Sequence, residues 1–158
     1  MQPIHRHFHA LNQDQLCQLA TQMAPQLCAG DTILLNGQIG AGKSVFARQL
    51  ISTLCPDEIE IPSPTFTLIQ TYDAPGFALH HCDLYRLSAP EHCHELGLQE
   101  AFENDVCVIE WPEIMGPMTP CEAVHISFTV SDDTRRDIDI QSENARWAKM
   151  LGGLNVTP

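Results

Sequence analysis

Lysine is nearly missing from this chain: of 158 residues only Lys43 and Lys149 are lysine, and six arginines complete the basic set. Twenty acids stand against those eight bases, a formal net charge of -12. Phosphate-backbone binding needs several clustered cations, about one for each phosphate neutralised. The chain by itself therefore cannot coat a nucleic acid, and could serve one only through a partner with a basic surface. Long apolar runs are absent too: none approaches the roughly 18 residues of a membrane span. The first residues, Met1-Gln2-Pro3-Ile4-His5-Arg6-His7, lack the apolar core of a signal peptide. Export is not expected, and a cytoplasmic location is. Seven cysteines occur at 17, 28, 55, 82, 93, 107 and 121, with no Cys-x-x-Cys. Their odd number and the lack of a leader argue against a disulfide framework and for reduced thiols.

What is present is an ordinary globular composition, 44% hydrophobic and 18% charged, with length for one domain over residues 1–158. Ile4 to His9 alternates as a short strand would. Gln13 to Cys28 places Leu16, Leu19, Ala20, Met23 and Leu27 on one helical face. Thr32 to Asn36 is a continuous apolar run, as in a strand covered on both faces. Lys43 to Leu54 reads as a helix, with Val45, Phe46, Leu50 and Leu54 inward. Pro62-Ser63-Pro64 is a stiff extended loop. Thr65 to Tyr72 and Phe77 to Cys82 read as a hairpin. Pro90 to Phe102 suits a short helix with Leu96 and Leu98 buried, and Val106 to Ile109 a short apolar strand ending at Glu110. Ala123 to Val130 and Arg135 to Ile140 form a second hairpin, and Glu143 to Leu151 a closing helix. The pattern predicts an α/β class with a mixed central sheet flanked by helices.

Between the apolar strand and the second helix lies Gly37-Gln38-Ile39-Gly40-Ala41-Gly42-Lys43-Ser44, a complete G-x-x-x-x-G-K-[ST] phosphate loop. By composition alone this pattern arises on the order of once in 200 chains of this length, and its setting between strand and helix is the one its chemistry requires. Glycines let backbone N–H groups approach phosphate oxygens. The helix N-terminus adds partial positive charge. Lys43 offers a point charge to the terminal phosphates and the Ser44 hydroxyl a ligand to Mg²⁺. The loop also needs an acid at the end of a neighbouring strand. Two candidates stand at such ends, Glu110 after Val106-Cys107-Val108-Ile109 and Asp83 after Leu79-His80-His81-Cys82. One is expected to ligate the metal and the other to orient water or metal.

Thr65, on the stiff loop, could reach Mg²⁺ or the γ-phosphate and sense it, or could simply start a strand. Arg86 could stabilise the γ-phosphate or pair with a carboxylate. Trp111 could close over the site or be a packed aromatic. Two further groups have metal-ligand chemistry: His5, His7 and His9, which alternate on one strand face, and His80-His81-Cys82 with His92-Cys93-His94. Neither has a familiar ligand spacing, and Cys82 and Cys107 read better as small buried hydrophobes. A GTPase is disfavoured, since no Asn-Lys-x-Asp guanine reader exists in a chain with lysine only at 43 and 149. A large mechanical ATPase is excluded by length. A small-molecule P-loop kinase is the serious rival, although the chain has no segment to spare for a substrate-binding insert.

The phosphate loop, then Ser63-Pro64-Thr65-Phe66-Thr67-Leu68, His81-Cys82-Asp83-Leu84-Tyr85-Arg86, Glu95-Leu96-Gly97-Leu98 and Val108-Ile109-Glu110-Trp111-Pro112 together closely resemble the bacterial TsaE (YjeE) family. Order and spacing agree over about residues 10 to 140. The resemblance implies a P-loop NTPase-like domain and a weak ATPase that retains ADP and uses ATP with Mg²⁺. It implies an accessory role in threonylcarbamoylation of the adenosine 3′ of the anticodon in tRNA. The implied partners are a threonylcarbamoyl transferase and its paralogous subunit, a TsaD–TsaB type heterodimer, and stimulation of hydrolysis by them is expected. Carried onto this chain, Gly37, Gln38, Ile39, Gly40, Ala41, Gly42 and Lys43 would hold phosphates, and Ser44 and Glu110 would ligate Mg²⁺. Asp83 would be catalytically important, Thr65 and Trp111 would lie near the nucleotide, and Gln13 and Arg135 would contact adenine. The loop departs from the family's usual Gly-Asp-Leu-Gly and Lys-Thr-Thr: it reads Gly37-Gln38-Ile39-Gly40, with Ser44 and Val45 after Lys43. Ser44 keeps the metal hydroxyl, whereas Val45 removes one that could contact phosphate.

Overall fold

The computed structural model describes residues 3–58 and 60–158. Seven strands form one sheet in the order β1-β7-β6-β2-β5-β4-β3: β1 Ile4–Leu11, β2 Thr32–Gly37, β3 Ile69–Ala74, β4 Phe77–Asp83, β5 Val106–Glu110, β6 Val124–Asp132 and β7 Arg135–Ser142. The four central strands β6, β2, β5 and β4 run parallel to one another. The outer pairs, β1 with β7, β7 with β6 and β3 with β4, are antiparallel. The mixed sheet expected from the sequence is thus a parallel centre with an antiparallel hairpin at each side.

Helices cover both faces. Helix α1 (Gln13–Met23), α2 (Lys43–Leu54) and α5 (Trp147–Gly153) pack on one, over a core that includes Leu19, Phe46, Leu50, Ile33, Leu35, Val108 and Trp147. On the other, α3 (Glu91–Glu95) and α4 (Leu98–Asn104) pack over Leu34, Cys82, Leu84, Cys107 and Ile109. Strand alternation explains the division, because Ile33 and Leu35 point one way and Leu34 the other. Each such side chain, once fully buried, contributes about 1.5–3 kcal/mol. Asn12 starts α1 through a capping box, accepting from Gln15 N at 2.8 Å while its own N–H donates to the Gln15 side chain at 2.9 Å.

Four elements differ from the sequence expectation. The first helix stops at Met23 and continues as a 3-10 turn over Ala24–Gln26, because Pro25 has no N–H for the α-helical ladder. The segment from Pro90 to Phe102 is two helices, broken at Gly97, whose φ of 75° is left-handed; Leu98 is buried and Leu96 only partly. Residues 65–68 are a turn outside the ladder: Leu68 N–H closes on Pro64 O at 2.7 Å and Leu68 takes φ 69°, so β3 begins at Ile69. The last helix starts at Trp147 instead of Glu143, since the Asn144 side chain accepts from Arg146 N and holds a turn there.

Candidate active site

The parallel centre brings the chemistry together. Leu35 lies beside Glu110 in register and Glu110 beside Asp83, so the carboxyl ends of β2, β5 and β4 share one edge. The phosphate loop leaves β2 there and turns into α2. In an open parallel sheet this crevice is where ligands bind.

Two of the loop glycines are sterically required. A Cβ on Gly37 would stand 2.9 Å from Phe128 O. Gly42, at φ 107°, precedes the first residue of α2, and a Cβ there would meet Leu16 Cδ2 at 3.1 Å. Lys43 is buried. Its ammonium donates to Gly37 O and sits 3.4 Å from the ring centroid of Trp111. Burial pulls its pKa below the ordinary value, against the opposing pull of Glu110, Glu113 and Asp83. Trp111 adopts φ 57° directly after β5, which swings its indole over the loop, where it also packs on Tyr85 with centroids 4.9 Å apart.

Both carboxylates are buried and held. Glu110 accepts from Ser44 Oγ at 2.9 Å through Oε1, and its Oε2 lies 2.7 Å from His81 Nε2. Asp83 accepts from Thr65 Oγ1 at 3.2 Å and from the Tyr85 N–H at 3.0 Å. The stiff loop therefore does carry Thr65 to an acid at the sheet edge, and the turn at Leu68, whose carbonyl accepts from Asp83 N at 2.9 Å, is what sets it there. One cleft of about 420 Å³ is lined by Lys43, Ser44, Thr65, Asp83, Glu110 and Trp111 together with Ile39, Gly40 and Gly42. A hydroxyl and hard carboxylate oxygens make a donor set suited to Mg²⁺ and unsuited to softer metals.

A second cleft of about 500 Å³ adjoins the loop through Gly40, Gly42 and Val45 and is lined by Asn12, Gln13 and Arg136. Arg135 instead turns away to donate to Ala10 O. Its neighbour Arg136 donates to Ala41 O and Gly40 O, both at 3.1 Å, and so braces two loop carbonyls from β7. Arg86 lies outside both clefts, stacked 4.3 Å over the ring of exposed Phe66. Two residues of the site were missed by sequence reasoning. Arg136 could have been preferred by strand alternation, which puts it and Arg135 on opposite faces. His81 shares the face of Asp83 on β4, two residues away, and that spacing was its signal.

The second His/Cys group does not assemble. Cys82 and Cys93 are buried with Cys107 in the apolar layer, while His81 points to the opposite face and His80 pairs with Asp105. All seven cysteines are free. Burial pushes the Cys107 thiol up to about 12 and Cys82 well above its ordinary value, so both are inert hydrophobes.

Residues 10–138 match the family described as Threonylcarbamoyl adenosine biosynthesis protein TsaE. The tRNA threonylcarbamoyladenosine biosynthesis protein TsaE of Rickettsia bellii (strain RML369-C) is 39% identical over 132 residues, 84% of this chain and 92% of its own length. The protein of the same name from Bacillus subtilis (strain 168) is 30% identical over 149 residues, covering 94% and 92%. The crystal structure of Bacillus subtilis YdiB matches with a TM-score of 0.78 at 25% identity, over 96% of this chain and 95% of that one. With the phosphate loop, its two opposed acids and this likeness over nearly the whole length in agreement, the chain belongs to the TsaE family.

Proposed function

We propose that this protein is an Mg²⁺-dependent ATPase of tRNA threonylcarbamoyladenosine biosynthesis, working with a threonylcarbamoyl transferase and its paralogous subunit. The observation that carries the reading is the meeting of Lys43, Ser44, Glu110, Asp83 and Thr65 in one cleft at the carboxyl ends of three parallel strands. In this reading Lys43 leaves Gly37 O and the indole for the terminal phosphates. Ser44 and Glu110, already hydrogen-bonded to each other, would hold Mg²⁺, which when bound would supply positive charge to offset that of the terminal phosphates. Asp83 accepts a hydrogen bond from the attacking water, and Thr65 keeps the carboxylate aimed at it. His81 fixes Glu110 from behind. Adenine occupies the neighbouring cleft beside Gln13 and Arg136. With a net charge of -12, the protein leaves tRNA to its partners.

Lys43→Ala should weaken a fluorescent ADP analogue by at least about 100-fold, and unchanged affinity would remove the phosphate-loop assignment. Asp83→Ala should spare that affinity and reduce ATP hydrolysis by about 100-fold. Arg136→Ala should weaken binding by about tenfold, while Arg135→Ala stays near wild type. Hydrolysis measured with and without the transferase heterodimer, and with no phosphate acceptor present, separates this reading from a small-molecule kinase. Threonylcarbamoyladenosine retained in tRNA after depletion of the protein would reject the pathway.

A further inference from the structure

The geometry points to a second metal site, for a borderline transition ion such as Zn²⁺ or Co²⁺, on the edge of the sheet remote from Ser44 and Glu110. His7 and His9 on β1 and Asp137 on β7 each offer a ligand atom, and the three atoms lie within 4.8 Å of one another. Sequence spacing could not show this, because the third ligand arrives across the strand pair. A His-x-His pair on a strand sets both imidazoles on one face; here the rings stand 6.4 Å apart and 27° from parallel. Phe8, between them, points into the core instead. His7 lies opposite Asp139 in register, which places Asp137, two residues back along β7, toward His9.

The distances suit coordination. Metal bonds of about 2.0–2.1 Å at tetrahedral angles separate ligand atoms by about 3.3 Å. His9 Nδ1 and Asp137 Oδ1 are already 3.1 Å apart, and exposed side chains can draw the third atom in. His7 Nδ1 lies 2.8 Å from Asp139 Oδ1. A carboxylate bonded to one imidazole nitrogen fixes the tautomer and leaves the other nitrogen's lone pair for a metal. Asp139 thus acts as an orienting partner, shared with His5 at 2.9 Å. Two imidazoles and one carboxylate, with an open side, suit Zn²⁺, Co²⁺ or Ni²⁺ and not Mg²⁺. The histidines precede residue 10, where the family match begins, and Asp137 lies near its end.

The site has a mechanical consequence. Asp137 Oδ1 also accepts from the N–H of Ala10 at 2.8 Å. Ala10 takes φ 52° within the irregularity of β1 between Phe8 and Leu11, just before Asn12 and Gln13 of the second cleft. An ion held by His7, His9 and Asp137 would pin β1 to β7 at that kink.

Titration of the full-length, chelator-stripped protein with Co²⁺ in excess Mg²⁺ tests the site, the Mg²⁺ saturating oxygen-only positions. The expected result is one saturable equivalent with a d–d spectrum of nitrogen and oxygen ligands, and a thermal midpoint that rises with added Zn²⁺. His7→Ala and His9→Ala should each weaken binding by at least about tenfold, and Asp139→Asn by about tenfold; nucleotide-analogue affinity should be unchanged in all three. Absence of saturable binding, or binding unaltered in the double His7→Ala/His9→Ala variant, would overturn the proposal. So would a thiolate charge-transfer band that disappears in Cys28→Ser/Cys121→Ser, which would assign the ion to the exposed thiols.

Discussion

Two histidine–carboxylate clusters in this molecule use the same side chains in opposite surroundings. His81 and Glu110, 2.7 Å apart, have side chains 0% and 3% exposed, walled by β4, β5 and α2. His5 and His7 share Asp139 at 2.9 and 2.8 Å, with side chains 52%, 46% and 31% exposed. Distance is nearly equal, so surroundings decide what each does. In the buried pair a lost partner leaves a polar group with little access to water. In the exposed cluster water and salt replace either partner at once. The first therefore holds a geometry, and the second leaves its groups free to exchange one ligand for another. A third pair, His80 with Asp105 at 2.8 Å, is 19% and 28% exposed and stands between them.

Loss of a partner should cost less as exposure rises along that series. His81→Leu strands the Glu110 carboxylate and should destabilise the fold by about 3–5 kcal/mol, read from the urea midpoint; His81→Leu/Glu110→Leu should recover much of that loss. A single-variant loss below about 1 kcal/mol would mean that the buried pair is no different from a surface one. His80→Ala should lower stability by about 1 kcal/mol. Asp139→Asn should have the smallest effect, and one confined to a pH window. The hydrogen bond to Asp139 raises the His7 pKa above its ordinary 6.5, so that contribution is full below 6.5 and fades as pH rises through the raised value. The hydrogen bond to His7 lowers the Asp139 carboxyl below its ordinary 3.8, so that contribution is present above 3.8 and fades as pH falls. Asp139→Asn should thus lower the thermal midpoint most between about pH 4 and 6.5, the difference fading as pH rises through the raised His7 value or falls through the lowered Asp139 value, and high salt should erase it. In an NMR titration His7 should return toward 6.5.

Much of this architecture was legible because local signals and burial agreed. The apolar run of β2 reads as a strand covered on both faces and that of β5 as a short apolar strand, and both lie in the parallel centre of the sheet; α2 begins and ends at Lys43 and Leu54 as expected. The acids Asp83 and Glu110 could be picked as strand-terminal residues before their adjacency was visible. What escaped was set by backbone conformations that sequence patterns do not mark. The left-handed Leu68 converted an alternating run into a turn, and with it moved Thr65 from a strand to the mouth of Asp83. The arginine that lines the second cleft is Arg136 and not Arg135, because the register of β7 decides which of two adjacent arginines faces the loop. The sequence groups His81 with Cys82 as metal-ligand chemistry, yet strand alternation sends the two side chains to opposite faces.

The seat of the Lys43 ammonium on the Trp111 ring has an optical consequence. The chain has only two tryptophans. Trp147 is sealed in the apolar layer at 1% exposure, with its indole N–H committed to Glu122 O. Any anion that draws the lysine off the Trp111 face changes the field across one indole and leaves the other untouched. The intrinsic emission of the unlabelled protein then reports occupancy of the phosphate loop, and Trp111→Phe silences it.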